Sequence, residues 1–88
     1  LVDLDPAEVE ARAAALRADG VEAAAAACDL TDPAAVERAL DALVERVGDP
    51  DALVCAAGGW AATGPVDASD PAAWHRQIAI NLTTAYVA

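Results

Sequence analysis

Three of the four Asp-Pro pairs in this chain, Asp5-Pro6, Asp32-Pro33 and Asp70-Pro71, precede apolar runs at helical spacing and limit what it can fold into. An aspartate in that position caps a helix by accepting a backbone N–H. The proline after it suits the first helical residue, where an N–H is not needed. Glu8, three residues after Asp5, completes the pattern of a capping box. Each pair is followed by apolar residues at helical spacing. Val9, Ala13 and Leu16 follow the first; Val36, Leu40, Leu43, Val44 and Val47 follow the second; Trp74, Ile78, Leu82 and Ala85 follow the third. Gly20 and Gly48 stand where the first two helices must stop.

The segments between these helices read as strands. Leu1-Val2-Asp3-Leu4 is the tail of one. Val21 to Cys28 is rich in alanine, which favours helix by propensity. Its breaks at Gly20 and Asp29 nevertheless leave a strand-like length, and alternation of helices and strands asks for a strand there. Ala52 to Ala56 is a short, wholly apolar run after the Asp49-Pro50 turn, as expected of a strand covered on both faces. The region from Gly58 to Asp70 reads as a loop. The expected fold class is therefore α/β: a doubly wound, mostly parallel sheet of the Rossmann-like kind, present as a partial domain.

Ligands of open α/β sheets lie outside the carboxyl ends of the strands. Here those ends carry Asp3, Asp29 and the small-residue turn Cys55-Ala56-Ala57-Gly58-Gly59. Asp3 can accept hydrogen bonds from the two hydroxyls of a ribose, and its charge disfavours a 2′-phosphate, so it points to NAD rather than NADP. It can equally be a solvated acid at a strand end. Asp29 can accept from an adenine amino group while Leu30 packs on the ring, or it can cap the following helix. The turn lets the backbone approach a cofactor closely, or it is only a tight turn. Trp60 covers the site or plugs the core. Asn81, in mid-helix, costs propensity and marks a kink or a bound water unless it is simply exposed. His75 lacks a Ser or Cys partner at a telling spacing and reads as a surface residue; Tyr86 reads as packing.

Composition removes several functions. The net charge is −10 and every basic residue is arginine. A nucleic-acid partner needs a basic surface, and an anionic membrane does too. No apolar run is long enough to cross a bilayer. Cys28 and Cys55 lack the spacing of a zinc site, and no metal site is expected. With no sign of export, the expected location is cytoplasmic. The 88 residues begin without Met inside an apolar run and end inside a helical pattern, so the chain reads as a segment of a longer protein.

Four elements in order, Leu1-Val2-Asp3-Leu4-Asp5, Cys28-Asp29-Leu30-Thr31, Leu53 to Gly59, and Trp74 through Ile80-Asn81-Leu82, resemble the short-chain dehydrogenase/reductase family over essentially the whole chain. The resemblance implies that Asp3 with Leu4 holds the adenosine ribose, that Asp29 and Leu30 hold the adenine, and that Ala56, Ala57 and Gly58 back the nicotinamide-side ribose. Asn81 matches the Asn of the family's Asn-Ser-Tyr-Lys tetrad, whose backbone carbonyl holds a water in the proton relay. The family's usual Asn-Asn-Ala-Gly is Cys55-Ala56-Ala57-Gly58 here, so two side-chain amides are replaced. The run Cys55 to Trp60 also resembles the turn of dihydropteridine reductases in the same family, which lack the helix Asn; their substrate is not carried over. The family's Gly-rich phosphate loop would precede Leu1, and its Ser and Tyr-x-x-x-Lys would follow Ala88.

The expected parent is thus an NAD(H)-dependent oxidoreductase interconverting an alcohol and a carbonyl compound, a homo-oligomer by analogy, with the segment alone inactive. The alternatives are an S-adenosylmethionine-dependent methyltransferase, which also places acids after its second and third strands, and a non-catalytic nucleotide-binding domain. A flavodoxin-like signalling domain would want clustered acids at its first strand. The Ala-Gly-Gly turn and Asn81 favour the dehydrogenase.

Overall fold

The computed structural model describes residues 1–61 and 64–88. A short strand β1 (Val2–Asp3) leads into helix α1 (Pro6–Ala18), which returns the chain to strand β2 (Ala26–Ala27). The two strands pair in parallel, Val2 with Ala26 and Asp3 with Ala27. Helix α2 (Pro33–Val47) follows. Helix α3 (Pro71–Ile78) then runs through a π turn (Ala79–Thr83) into α4 (Thr84–Val87). The result is a parallel sheet with flanking helices, a partial Rossmann-like arrangement.

All three Asp-Pro devices work as expected. The side chains of Asp5, Asp32 and Asp70 accept from Ala7, Ala34 and Ala72 backbone N–H groups at 2.8, 3.0 and 3.0 Å. The capping box at α1 closes differently. The Asp5 N–H donates to Asp3 Oδ1 at 3.0 Å rather than to Glu8. A strand-end acid two residues upstream reaches that N–H directly, which leaves Glu8 free in the first turn. Gly20 and Gly48 both have φ of +83°, a positive value that favours glycine, where α1 and α2 end; Gly48 has ψ of −179°.

Two expected strands are corrected. Val21 to Cys28 is strand only at Ala26–Ala27. The ladder itself is somewhat longer: the Leu1 amino group donates to Ala24 O at 2.7 Å, and Cys28 N to Asp3 O at 3.0 Å. Val21 belongs to the end of α1, where its N–H donates to Leu16 O at 3.0 Å. Ala52 to Ala56 forms no strand, because no described segment lies beside it to complete a ladder. It borders a cavity of about 510 Å3 whose opposite wall includes Leu1 and Val2.

The core sits around the strand pair. Val9, Ala13, Ala24 and Val36 are buried, joining α1 and α2 to the sheet. Burying each valine stabilises by about 1.5–3 kcal/mol. The expected stripes are only partly covered. Leu16, Val44 and Val47 stay exposed, as do Trp74, Leu82, Ala85 and Tyr86. The π turn adds a residue to one turn and shifts the phase of the last helix. Thr84, not Leu82, is its buried residue.

Candidate functional site

A cavity of about 420 Å3 lies at the carboxyl ends of the strands. Asp3 and Leu4 border it from the end of β1, and Asp29 and Leu30 from the segment after β2. Ala56, Ala57 and Gly58 close it from the turn, with Ile80 and Thr84 from the last helix. The sheet geometry accounts for the meeting of the two acids. Parallel strands in register place their C-terminal ends side by side, about 4.8 Å apart.

Each acid is held by local bonds that differ from those the sequence suggested. Asp3 uses Oδ1 to accept the Asp5 N–H, which orients a carboxylate that remains exposed. Asp29 does not cap α2; Asp32 does. Asp29 Oδ1 accepts the Thr31 N–H at 2.8 Å and the Thr31 hydroxyl at 2.7 Å. These two bonds hold its carboxyl below the usual carboxylate value of 3.8. Asp29 and Asp32 act the opposite way on the neighbouring Cys28. Its thiol is pushed up first by burial and then by these two negative charges.

Asn81 stands in the π turn and shapes the other side of the small-residue turn. Its Oδ1 accepts the Gly59 N–H at 3.0 Å, and its Nδ2 donates to Gly59 O at 2.9 Å. One side-chain amide therefore satisfies both backbone groups of Gly59. Nδ2 also donates to Gln77 O at 3.0 Å and reaches Gln77 Oε1 at 3.3 Å. The expected kink is thus a π turn braced by a side-chain amide, a common cause of such an irregularity. Thr84 Oγ1 adds a second brace, donating to Ile80 O at 3.0 Å.

A side chain on Gly58 would force its surroundings to shift. A Cβ on it would lie 2.6 Å from Asn81 Oδ1. Asn81 itself borders an open recess beyond the turn, with Gly59, Trp60 and Gln77. The turn residues Ala56 to Gly58 border both this recess and the strand-end cavity. Trp60 is 83% exposed, so it does not plug the core. Tyr86, at 88% exposed, is not packed as expected, because no described element covers that face of α4. His75 is exposed on α3, as expected.

Every residue expected at the cofactor edge borders the one strand-end cavity, while Asn81 is set behind the turn. Three participants were not singled out for these roles. Thr31 was legible in principle, because Asp-x-Thr is the signature of a turn closed by the aspartate side chain. Gln77 lies four residues before Asn81, the spacing of helix-surface partners. Gly59 carried no signal for its part, since a backbone contact leaves no mark on residue type. Among the described residues no cluster of His, Cys, Asp and Glu suits a metal ion.

The chain matches the short chain dehydrogenase family over residues 1–88. It belongs to that family. It is 35% identical over 88 residues to 2-(S)-hydroxypropyl-CoM dehydrogenase 3 of Xanthobacter autotrophicus, covering all of this chain and 34% of that protein. It is 41% identical over 66 residues to 1-deoxy-11-beta-hydroxypentalenate dehydrogenase of Streptomyces arenae, covering 75% of this chain and 22% of that protein. In structure it resembles a 3-ketoacyl-ACP reductase from Sinorhizobium meliloti 1021, with a TM-score of 0.86 and 30% identity. That likeness covers 98% of this chain and 34% of the reductase. The chain thus spans about a third or less of the length of these relatives. Members of this family are oxidoreductases that typically bind NAD or NADP, and the assignment removes the methyltransferase alternative.

Proposed function

We propose that this chain is the adenosine-facing segment of an NAD(H)-dependent oxidoreductase that interconverts an alcohol and a carbonyl compound. The observation that carries the reading is the convergence of Asp3 and Asp29, from adjacent strand ends, on one cavity with the Ala56–Gly58 turn. The relatives' names fit it, since two are dehydrogenases of hydroxyl-bearing compounds and one is a reductase of a keto compound.

The donor and acceptor chemistry suits an adenosine half. An ionised carboxylate only accepts hydrogen bonds. Asp3 keeps Oδ2 unengaged by the described hydrogen bonds while Asp5 steadies Oδ1. It accepts the ribose hydroxyls and opposes a 2′-phosphate by like charge. Asp29 accepts the adenine amino group, and Leu4 and Leu30 give apolar surface for the base. The side-chain-free face of Gly58 lets the cofactor approach the turn, and Asn81 fixes the turn through Gly59. When bound, NAD supplies the acceptor or donor of a hydride. Asn81 also offers its backbone carbonyl to a water in the proton relay. On this reading the Gly-rich phosphate loop and the Ser and Tyr-x-x-x-Lys of the family belong to the rest of a longer protein. The segment alone is then inactive. The whole enzyme is a cytoplasmic homo-oligomer by analogy with the family; no described helix is long and apolar enough to cross a membrane.

The test is kcat/KM of the full-length protein with NAD and NADP, before and after Asp3→Ala. The unmodified enzyme is expected to favour NAD. Asp3→Ala is expected to cost it roughly 1.5–3 kcal/mol of transition-state binding with NAD, the worth of a hydrogen bond to a charged group, and to spare NADP. Equal use of both cofactors by the unmodified enzyme refutes the assignment of Asp3. Cofactor binding without turnover on any alcohol or carbonyl compound would favour a non-catalytic domain.

A further inference from the structure

Asp29 is held through one oxygen only. Thr31 donates twice to Oδ1, from its backbone N–H and from its hydroxyl. The described hydrogen bonds leave Oδ2 unengaged. Both residues border the strand-end cavity. A carboxylate has a broad terminal torsion and otherwise samples many orientations. Two bonds converging on one oxygen remove most of that freedom.

We propose that Thr31 is a positioning residue for base recognition: its hydroxyl locks the Asp29 carboxylate so that Oδ2 serves as an acceptor for the exocyclic amino group of adenine. This rests on the NAD reading above and adds to it the residue that makes the base contact selective. The backbone N–H of Thr31 would remain with any side chain at this position. The hydroxyl is the part that the sequence chose, and it is the shorter of the two bonds. At neutral pH an aspartate carboxylate is ionised with or without these bonds, so Asp29 can only accept. A base that presents an acceptor at the same position meets a fixed negative charge. Selection between an amino group and a carbonyl on the base therefore depends on how firmly Oδ2 is held.

The experiment compares NAD with nicotinamide hypoxanthine dinucleotide, which carries a carbonyl oxygen in place of the adenine amino group. Calorimetric Kd values for both are measured on the full-length protein and on Thr31→Val, Thr31→Ser and Asp29→Ala. The unmodified protein is expected to prefer NAD, and Asp29→Ala to lose the preference. Thr31→Val, which keeps the shape and removes the hydroxyl, is expected to lower the Kd ratio roughly three- to tenfold, less than the roughly ten- to hundredfold worth of a whole hydrogen bond to a charged group, because the Thr31 backbone N–H still holds Oδ1. Thr31→Ser is expected to retain it. If Thr31→Val does not fold, Thr31→Ala is read by the same ratio. A Thr31→Val ratio equal to that of the unmodified protein, with Asp29→Ala still losing the preference, overturns the role of Thr31 alone. An unchanged ratio in Asp29→Ala overturns the Asp29 assignment and this proposal with it. A purely structural Thr31 would weaken both dinucleotides alike and leave the ratio unmoved, which also overturns it.

Discussion

At the scale of single residues, local hydrogen bonds prepare the candidate site. Asp29 titrates below its ordinary value because Thr31 stabilises the anion. A depressed folded value gives a stabilising contribution that is complete above the unfolded value of 3.8 and is lost as pH falls through the folded value. The expected midpoint of the Asp29 carboxyl carbon, followed by NMR in the folded protein, therefore lies below 3.8. In Thr31→Val it moves upward. A midpoint at or above the ordinary value in the unmodified protein would contradict the hydrogen-bonded geometry. Gly58 makes the opposite point, since its contribution is the absence of an atom. Gly58→Ala sets a methyl group 2.6 Å from Asn81 Oδ1, so either the turn or the amide must move. The expected cost is about 1–3 kcal/mol of stability, as for overpacking elsewhere, with weaker cofactor binding. Denaturant unfolding and calorimetry check both parts, and an unchanged variant would show that the turn is looser than described.

At the scale of elements, the π turn gives Asn81 its importance. Its amide replaces backbone partners for Gly59 and for the Gln77 carbonyl at once. Asn81→Ala in the full-length protein is expected to lower kcat more than it weakens NAD binding. Asn81→Asp loses all three Nδ2 bonds, sets an anion against two backbone carbonyls, and is expected to cost roughly 1–3 kcal/mol of stability in denaturant unfolding. Unchanged turnover in Asn81→Ala would leave the residue a structural brace only. Much of this level was legible in the sequence, because capping is local chemistry. Asp5-Pro6, Asp32-Pro33 and Asp70-Pro71 located three helix starts within a residue. Strand extent was less legible, because a strand exists only where a partner pairs with it. Val21 to Ala23 lay within a strand-like length between breaks, but Val21 was already engaged by the end of α1. Ala52 to Ala56 had the apolar pattern but, among the described residues, no neighbour to pair with. The stripe of the last helix was misphased because nothing in a 3.6-residue pattern announces a π turn. The residues expected at the cofactor edge border one cavity because strand ends converge whatever the strand lengths. Their supports, Thr31, Gly59 and Gln77, depend on three-dimensional contacts and were not.

At the scale of the whole molecule, the chain is extended for its length. Its radius of gyration is 15.5 Å, against about 12 Å expected for a compact domain of this size. Buried apolar residues cluster around the strand pair, while Leu53, Val54 and Trp74 stay exposed. So little burial scarcely offsets the entropy of ordering the chain. The isolated 88-residue chain is therefore expected to melt without a cooperative transition, and to bind NAD weakly or not at all. Circular dichroism against temperature and a calorimetric NAD titration check this. A sharp transition with micromolar binding would show that the segment is a complete cofactor module. The central claim, that these strand ends form the adenosine side of an NAD site, has a more direct test. It is a crystal structure of the full-length protein with NAD bound. The account predicts ribose hydroxyls within hydrogen-bond distance of the Asp3 carboxylate and the adenine amino group within reach of Asp29 Oδ2. A cofactor seated with its adenosine elsewhere, leaving both carboxylates to solvent, would contradict it.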